Sequence, residues 1–178
     1  AQASLALADA RRVFDAAMCA AAMSIDANRA TDAFLDDRVY EARNQPGAKR
    51  VAARLRDLLA GSEIIRSHEI DDPRVQDPYS IRCATYVLGS ALDAMDYVRG
   101  AVERELGAVT DNPLILAPSN ADDPIVVSAG NFHGMPVAIP MDTLAIALSH
   151  IAGIAERRVY LLLAASDPQN PVPAHLSP

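Results

Sequence analysis

The run "YSIRCATYVLGSALDAMDYVRGAVERELGAV", from Tyr79 to about Val109, limits the fold more than any other stretch. It contains no proline, and its only soft points are Gly89, Gly100 and Gly107. Alanine, leucine and long polar side chains favour helix, so the run is expected to form one helix on the order of 45 Å long. Asp77 stands where a cap would stand, and Pro78 suits a first helical position, where a missing N–H costs nothing. A second long helix is expected from about Pro140 to Leu163. It is apolar almost all round, apart from Asp142, Thr143, Ser149, His150 and the cluster Glu156-Arg157-Arg158. Such a helix belongs in the middle of something. Two helices this long in 178 residues make an elongated all-α bundle with much apolar side surface. Copies of the same chain are the simplest cover for it, so an oligomer is expected.

The remaining sequence supports that class. "SLALADARRVFDAAMCAAAMSI" reads as helix on propensity, and "DANRATDAF" as a break with a short helical turn. After Pro46-Gly47, "AKRVAARLRDLLAG" places Val51, Leu55, Leu58 and Leu59 on one face and ends at Gly61. "DNPLILAPSNADDPIVVSAGNFHG" loses the helical period; "PLIL" and "PIVVS" are expected to pair as two short strands inside a shaped loop. Residues 1–178 are read as one domain, large enough for a real core.

Composition excludes some classes. With 51% hydrophobic residues, a net charge of −7 and no basic tract, a general grip on nucleic acid is not expected. Cys19 and Cys83 have no metal or disulfide spacing and are read as core thiols, which suits a reducing cytoplasm. The apolar stretch from Met135 to Ile154 is interrupted by Asp142 and His150. It reads as a buried helix and not a membrane span. No signal peptide is expected, and the start at Ala1-Gln2 and the end in "NPVPAHLSP" read as cuts in a longer chain.

Chemistry concentrates in four short stretches. In "RVQDPYSIRC", residues 74–83, Gln76, Tyr79 and Arg82 stand three apart. On a helix Tyr79 and Arg82 would project together, with Gln76 just before the N-terminus. Arg82 offers a planar fork for a carboxylate, a charge-assisted bond of about 1.5–3 kcal/mol. A phenol beside a cation and a helix start is set for proton transfer. The same spacing also describes a capped helix whose Arg82 pairs with a neighbouring acid. In "SAGNFHGMP", Gly130 and Gly134 bracket Asn131, Phe132 and His133. That pattern brings side chains close to a ligand, or makes a tight turn with a satisfied histidine. In "TDNPL", Pro113 keeps Asn112 out of helical geometry, either aiming its amide at a bound polar group or making a turn. Glu156, Arg157 and Arg158 are either solvated charges near a helix end or, the favoured reading, ion pairs inside an oligomer core. His68, His150 and His175 have no partner at ligand spacing, so no metal site is expected.

Taken in order, "QDPYSIRC", "TDNPL", "GNFHGMP" and "AERR" resemble the central part of the aromatic amino acid ammonia-lyases, the histidine ammonia-lyases most closely. "SLALADARRVFDAA" and "RLRDLLAGSEI" extend the resemblance over essentially the whole chain. It implies an all-α fold in a homotetramer, with active sites assembled from more than one subunit. It also implies elimination of ammonia from an L-amino acid, L-histidine to urocanate being favoured. In these terms Arg82 matches the carboxylate clamp, Tyr79 the active-site tyrosine near the electrophile, and Gln76 an amide that helps hold the site. Asn112 matches a polar contact near the substrate carboxylate, and Phe132 an aromatic wall.

The resemblance also implies a methylidene-imidazolone electrophile made from Ala-Ser-Gly. This chain has only Ser128-Ala129-Gly130, in the wrong order. The electrophile is therefore expected upstream in a longer parent, and the chain alone is expected to be inactive. Two local departures stand out: Thr85-Tyr86 where the family usually has Pro-Gln, and Ala129 where it usually has glycine. A phenylalanine or tyrosine ammonia-lyase, an aminomutase, and a non-catalytic helical oligomerisation module are the alternatives. The wider superfamily that includes fumarase shares the helical architecture, but its signature loop is not found here.

Overall fold

The computed structural model describes residues 1–70, 72, 74–117, 123–163 and 173. Helix α1 (Gln2–Ala27) opens the chain, and a single 3-10 turn (Ala33–Leu35) follows the break after it. Helix α2 (Asp37–Arg43) is capped by Asp36, whose carboxylate accepts from the Arg38 N–H. Helix α3 (Pro46–Leu59) has proline in its first turn and stops before Gly61, whose φ of +82° lies in the left-handed region. Helix α4 (Glu63–Arg66) is a single turn capped by Ser62. Neither α2 nor α4 was expected from hydrophobic period, because both are too short to show one.

The long helix expected from Tyr79 is divided. Helix α5 (Tyr79–Arg82) and helix α6 (Ala84–Glu105) are separated by Cys83, at φ −87° and ψ −4°. Thr85 supplies a physical reason: its hydroxyl turns back toward the Arg82 carbonyl, 3.4 Å away, and also bonds the buried Tyr40 hydroxyl. Gly107, at φ +87°, closes α6 earlier than Val109. Asp77 does not cap α5. The residue before the helix is Pro78, whose carbonyl accepts from Ile81 and Arg82.

Strands β1 (Leu114–Leu116) and β2 (Ile125–Val127) pair antiparallel, Leu114 opposite Val127, as the two apolar runs suggested. Helix α7 (Met135–Leu163) starts five residues before the expected Pro140 and carries that proline inside it. Pro140 is close enough to the N-terminus to forfeit only one early ladder bond, which the helix tolerates.

The core forms where α1, α3, α6 and α7 meet: Phe14, Met18 and Ile25, then Val51 and Leu55, then Leu88, Met95 and Val98, then Leu144 and Ile151. Each such side chain contributes about 1.5–3 kcal/mol relative to exposure. The face read on α3 is correct for Val51, Leu55 and Leu59, with Leu58 half-buried. Helix α7 is buried along one stripe only (Pro140, Leu144, Ala147, Ile151, Ile154, Arg158), whereas Ile139, Ile146, Val159 and Tyr160 are exposed. It is long and apolar enough to cross a membrane by length and composition, yet that stripe packs on α6 and α1. Cys19 corrects another expectation: it is exposed, and Cys83 is half-buried.

Candidate active site

Two of the four motifs meet at one end of the bundle. Asp77 is 3% exposed and holds three groups from two segments. Its carboxylate accepts from the Thr31 N–H at 3.0 Å and from Arg74 Nη1 at 2.9 Å. Its main-chain carbonyl accepts from Arg82 Nε at 2.6 Å. Arg82 is thereby tethered while half-buried, and Tyr79, one turn earlier, is 54% exposed. Gln76 is exposed just ahead of them. Helix α5 is a single turn, so the positive helix end expected beside Tyr79 is smaller than a long helix would give.

The charged cluster of α7 comes to the same place. Arg157 forks onto Glu156 and lies over the Tyr160 ring, 5.0 Å from its centroid. Its guanidinium pKa is raised, chiefly by the Glu156 bond, with Tyr79 among the smaller contributors. That pair is solvated in the single chain. Arg158 is different: it is 3% exposed, burial pushes its pKa down, and its Nη1 has no partner among the described residues.

The other two motifs meet each other elsewhere. Asn112 Oδ1 accepts from the Ala129 N–H, and its Nδ2 reaches Ser128 Oγ at 3.4 Å. Asn131 Nδ2 donates to the Val109 carbonyl at 3.1 Å. These amides fasten "TDNPL" to the glycine-flanked loop and leave Phe132 63% exposed at its tip. His133 Nδ1 accepts from the Met135 N–H at 3.3 Å, which satisfies the start of α7. Among the described residues no group of His, Cys, Asp and Glu could hold a metal; His175 lies outside them.

The two pairs of motifs do not meet within one chain. The groove between α6 and α7 is lined by Tyr86, Val87, Ser90, Ala91 and Ala94 on one side and by Thr143, Ile146, Ala147 and His150 on the other. Tyr79, just ahead of α6, lies near Arg157 late in α7, and Asn131, just ahead of α7, bonds the Val109 carbonyl just after α6, so the two helices run antiparallel. Gln76, Tyr79 and Arg82 sit at the Arg157 end of α7, and Asn112 and Phe132 at its Met135 end. The rise from Met135 to Arg157 is roughly 33 Å. The five candidate residues therefore fall into two groups at opposite ends of one molecule.

Sequence reasoning missed Asp77 as an anchor, because an aspartate before a proline looks like a cap. It also missed Asn131 as the second tie of the loop. The departure at Thr85-Tyr86 now has a packing explanation. Thr85 bonds Tyr40, and Tyr86 lies 5.5 Å from the Tyr40 ring and under Arg43.

Comparison with known proteins agrees with the motifs. The family profile described as aromatic amino acid lyase matches residues 1–178. A histidine ammonia-lyase of Koribacter versatilis is 42% identical over 98% of this chain and 35% of its own length. The crystal structure of histidine ammonia-lyase from Trypanosoma cruzi superposes with a TM-score of 0.78 at 36% identity, over 97% of this chain and 30% of that one. Phenylalanine aminomutase from Pantoea agglomerans gives a TM-score of 0.85 at 26% identity, over 97% and 36%. The chain thus spans about a third of the length of the relatives it matches. With its motifs in the family's order, its helices in the family's arrangement and the profile matching from end to end, the chain belongs to the aromatic amino acid lyase family.

Proposed function

We propose that the chain supplies two half-sites of a histidine ammonia-lyase, an enzyme that eliminates ammonia from L-histidine to give urocanate. The observation that carries this reading is the separation of Tyr79 and Arg82 from Phe132 along α7, each group held in place by its own hydrogen bonds. Half-sites so placed are completed when copies of the chain pack their ends together, and the exposed apolar residues of α7 offer a surface for that packing. A homotetramer in the cytoplasm is the assembly we favour. Identity to histidine ammonia-lyases supports the choice of substrate over the aminomutase reading, whose structural likeness comes at lower sequence identity.

In this reading Arg82 binds the substrate carboxylate, Tyr79 exchanges a proton beside it, and Gln76 orders the same region. Phe132 and Asn112 come from another copy, the first as an aromatic wall and the second as a polar group near the carboxylate. The family's methylidene-imidazolone would activate the amino group for departure. The residues here do not fit its formation: Ser128-Ala129-Gly130 has the wrong order, and the Ala129 N–H is already bonded to Asn112. Another segment must provide that electrophile.

The test is an assay of ammonia release by the purified 178-residue chain, alone and co-produced with the flanking segments of a full-length protein. Release only in the second case, abolished by Arg82→Ala, is expected. Release by the chain alone would overturn the reading, and a full-length protein that assembles without turnover would favour an oligomerisation module.

A further inference from the structure

We infer that Asp77 is the positioning residue of the carboxylate grip, acting through its main-chain carbonyl on Arg82. The inference rests on the reading of Arg82 as the clamp, and it goes on to say how that clamp is aimed.

The argument begins with Pro78. A residue before proline is held in extended backbone, away from helical geometry. Helix α5 therefore takes its first acceptor from Pro78, whose carbonyl bonds the Ile81 and Arg82 N–H groups. The Asp77 carbonyl is left outside the helical ladder. It accepts instead from Arg82 Nε at 2.6 Å. An arginine has five N–H donors in a rigid fork. With Nε committed, the side edge of the fork that includes Nε is occupied, and the end edge formed by Nη1 and Nη2 is the one left for a ligand. The grip on a carboxylate then uses Nη1 and Nη2 end-on, not Nε and Nη2 side-on.

The tether is only as rigid as Asp77, and the Asp77 side chain fixes that. Its two oxygens are taken by different segments: the Thr31 N–H just after α1, and Arg74 Nη1 within its own loop. Arg74 is in turn tied to the Asn28 carbonyl. The Arg74–Asp77 pair is nearly closed to solvent, with side-chain exposures of 6% and 2%. A buried, hydrogen-bonded pair of this kind serves geometry more dependably than it serves stability. The Asp77 carboxylate thus anchors the backbone whose carbonyl aims Arg82, and it need not touch substrate itself.

The experiment uses the full-length protein and compares Asp77→Asn, the charge-neutral double variant Asp77→Asn/Arg74→Gln, and Arg82→Ala. KM and kcat for the amino acid are measured alongside inhibition by the amine that lacks its carboxylate. Circular dichroism shows which variants fold, and the double variant avoids leaving Arg74 buried without its acid. The expected result is a KM raised about tenfold or more, with kcat changed less and binding of the decarboxylated amine unchanged. An unaltered KM in a folded Asp77 variant, while Arg82→Ala loses turnover, overturns the positioning role and leaves the clamp standing. Unaltered turnover and KM in Arg82→Ala overturn the clamp and this inference together. Equal weakening of substrate and decarboxylated amine assigns Asp77 a general structural role and also overturns the inference.

Discussion

Gly47 and Gly89 meet backbone to backbone where α3 crosses α6. A Cβ on Gly47 would lie 2.2 Å from the Gly89 carbonyl oxygen, and a Cβ on Gly89 would lie 2.3 Å from the Ala48 nitrogen. The same crossing is stitched by Asp93, which accepts from the Gly47 N–H at 3.1 Å and from Arg50. The approach sets how tightly the two helices close on the core.

Gly89→Ala is therefore expected to destabilise. Helix propensity alone favours alanine there by about 1 kcal/mol. Two backbones cannot yield as a side chain would, and overpacking of this kind costs roughly 1–3 kcal/mol or more. Thermal melting decides the sign, and a raised Tm would mean the helices do not cross at this residue.

Tyr40 gives a second prediction, with a pH dependence. Its ring is 1% exposed, and its hydroxyl lies 2.9 Å from the Phe34 carbonyl and 3.0 Å from Thr85 Oγ1. Tyr40→Phe should cost about 1–2 kcal/mol, and adding Thr85→Val should cost less than the sum, since both ends of one bond are then removed. Burial, the largest cause, pushes the phenol pKa up. A raised folded pKa means that its contribution is complete below the unfolded value of about 10 and falls away as pH rises above it. Wild type should lose stability in that alkaline window more steeply than Tyr40→Phe, as urea titrations at several pH values would show.

These residues also mark what the sequence could disclose. The long helices were legible because alanine and leucine repeat over many turns, and the four motifs because their order is specific. Asp77 was misread because a cap and a loop anchor look alike before a proline; only the Thr31 amide, 46 residues away, distinguishes them. Cys19 was misread because its immediate neighbours are alanine and methionine, although the exposed Arg12 and Asp15, earlier on the same face of α1, mark that side as facing solvent. The separation of the five candidate residues was not legible either, since order along a chain does not tell which end of the bundle each motif reaches.

Asn112 is expected to act first as a clasp. Its Oδ1 holds the Ala129 N–H while Asn131 holds the Val109 carbonyl, so both ties fix the loop that carries Phe132. Asn112→Ala should speed hydrogen exchange at the Ala129 amide by about tenfold or more, the loss of one bond of about 1.4 kcal/mol or greater. Unchanged exchange would return Asn112 to a purely ligand-facing role.

The separation of half-sites yields the most discriminating test. Arg82→Ala disables one half, at the Arg157 end of α7, and Phe132→Ala disables the other, at its Met135 end. Each full-length variant alone should be inactive or nearly so. If every site takes one half from each of two copies, co-assembly of the two variants in equal amounts restores sites in which both halves are intact. Random mixing makes about a quarter of the sites complete, so activity should return to roughly a quarter of wild type. If a single chain could fold its two ends into one site, each site would carry one defect or the other, and mixing would restore nothing. Recovery on mixing therefore reports the roughly 33 Å of α7 between the halves, and its absence would show that the chain closes on itself in the assembled enzyme.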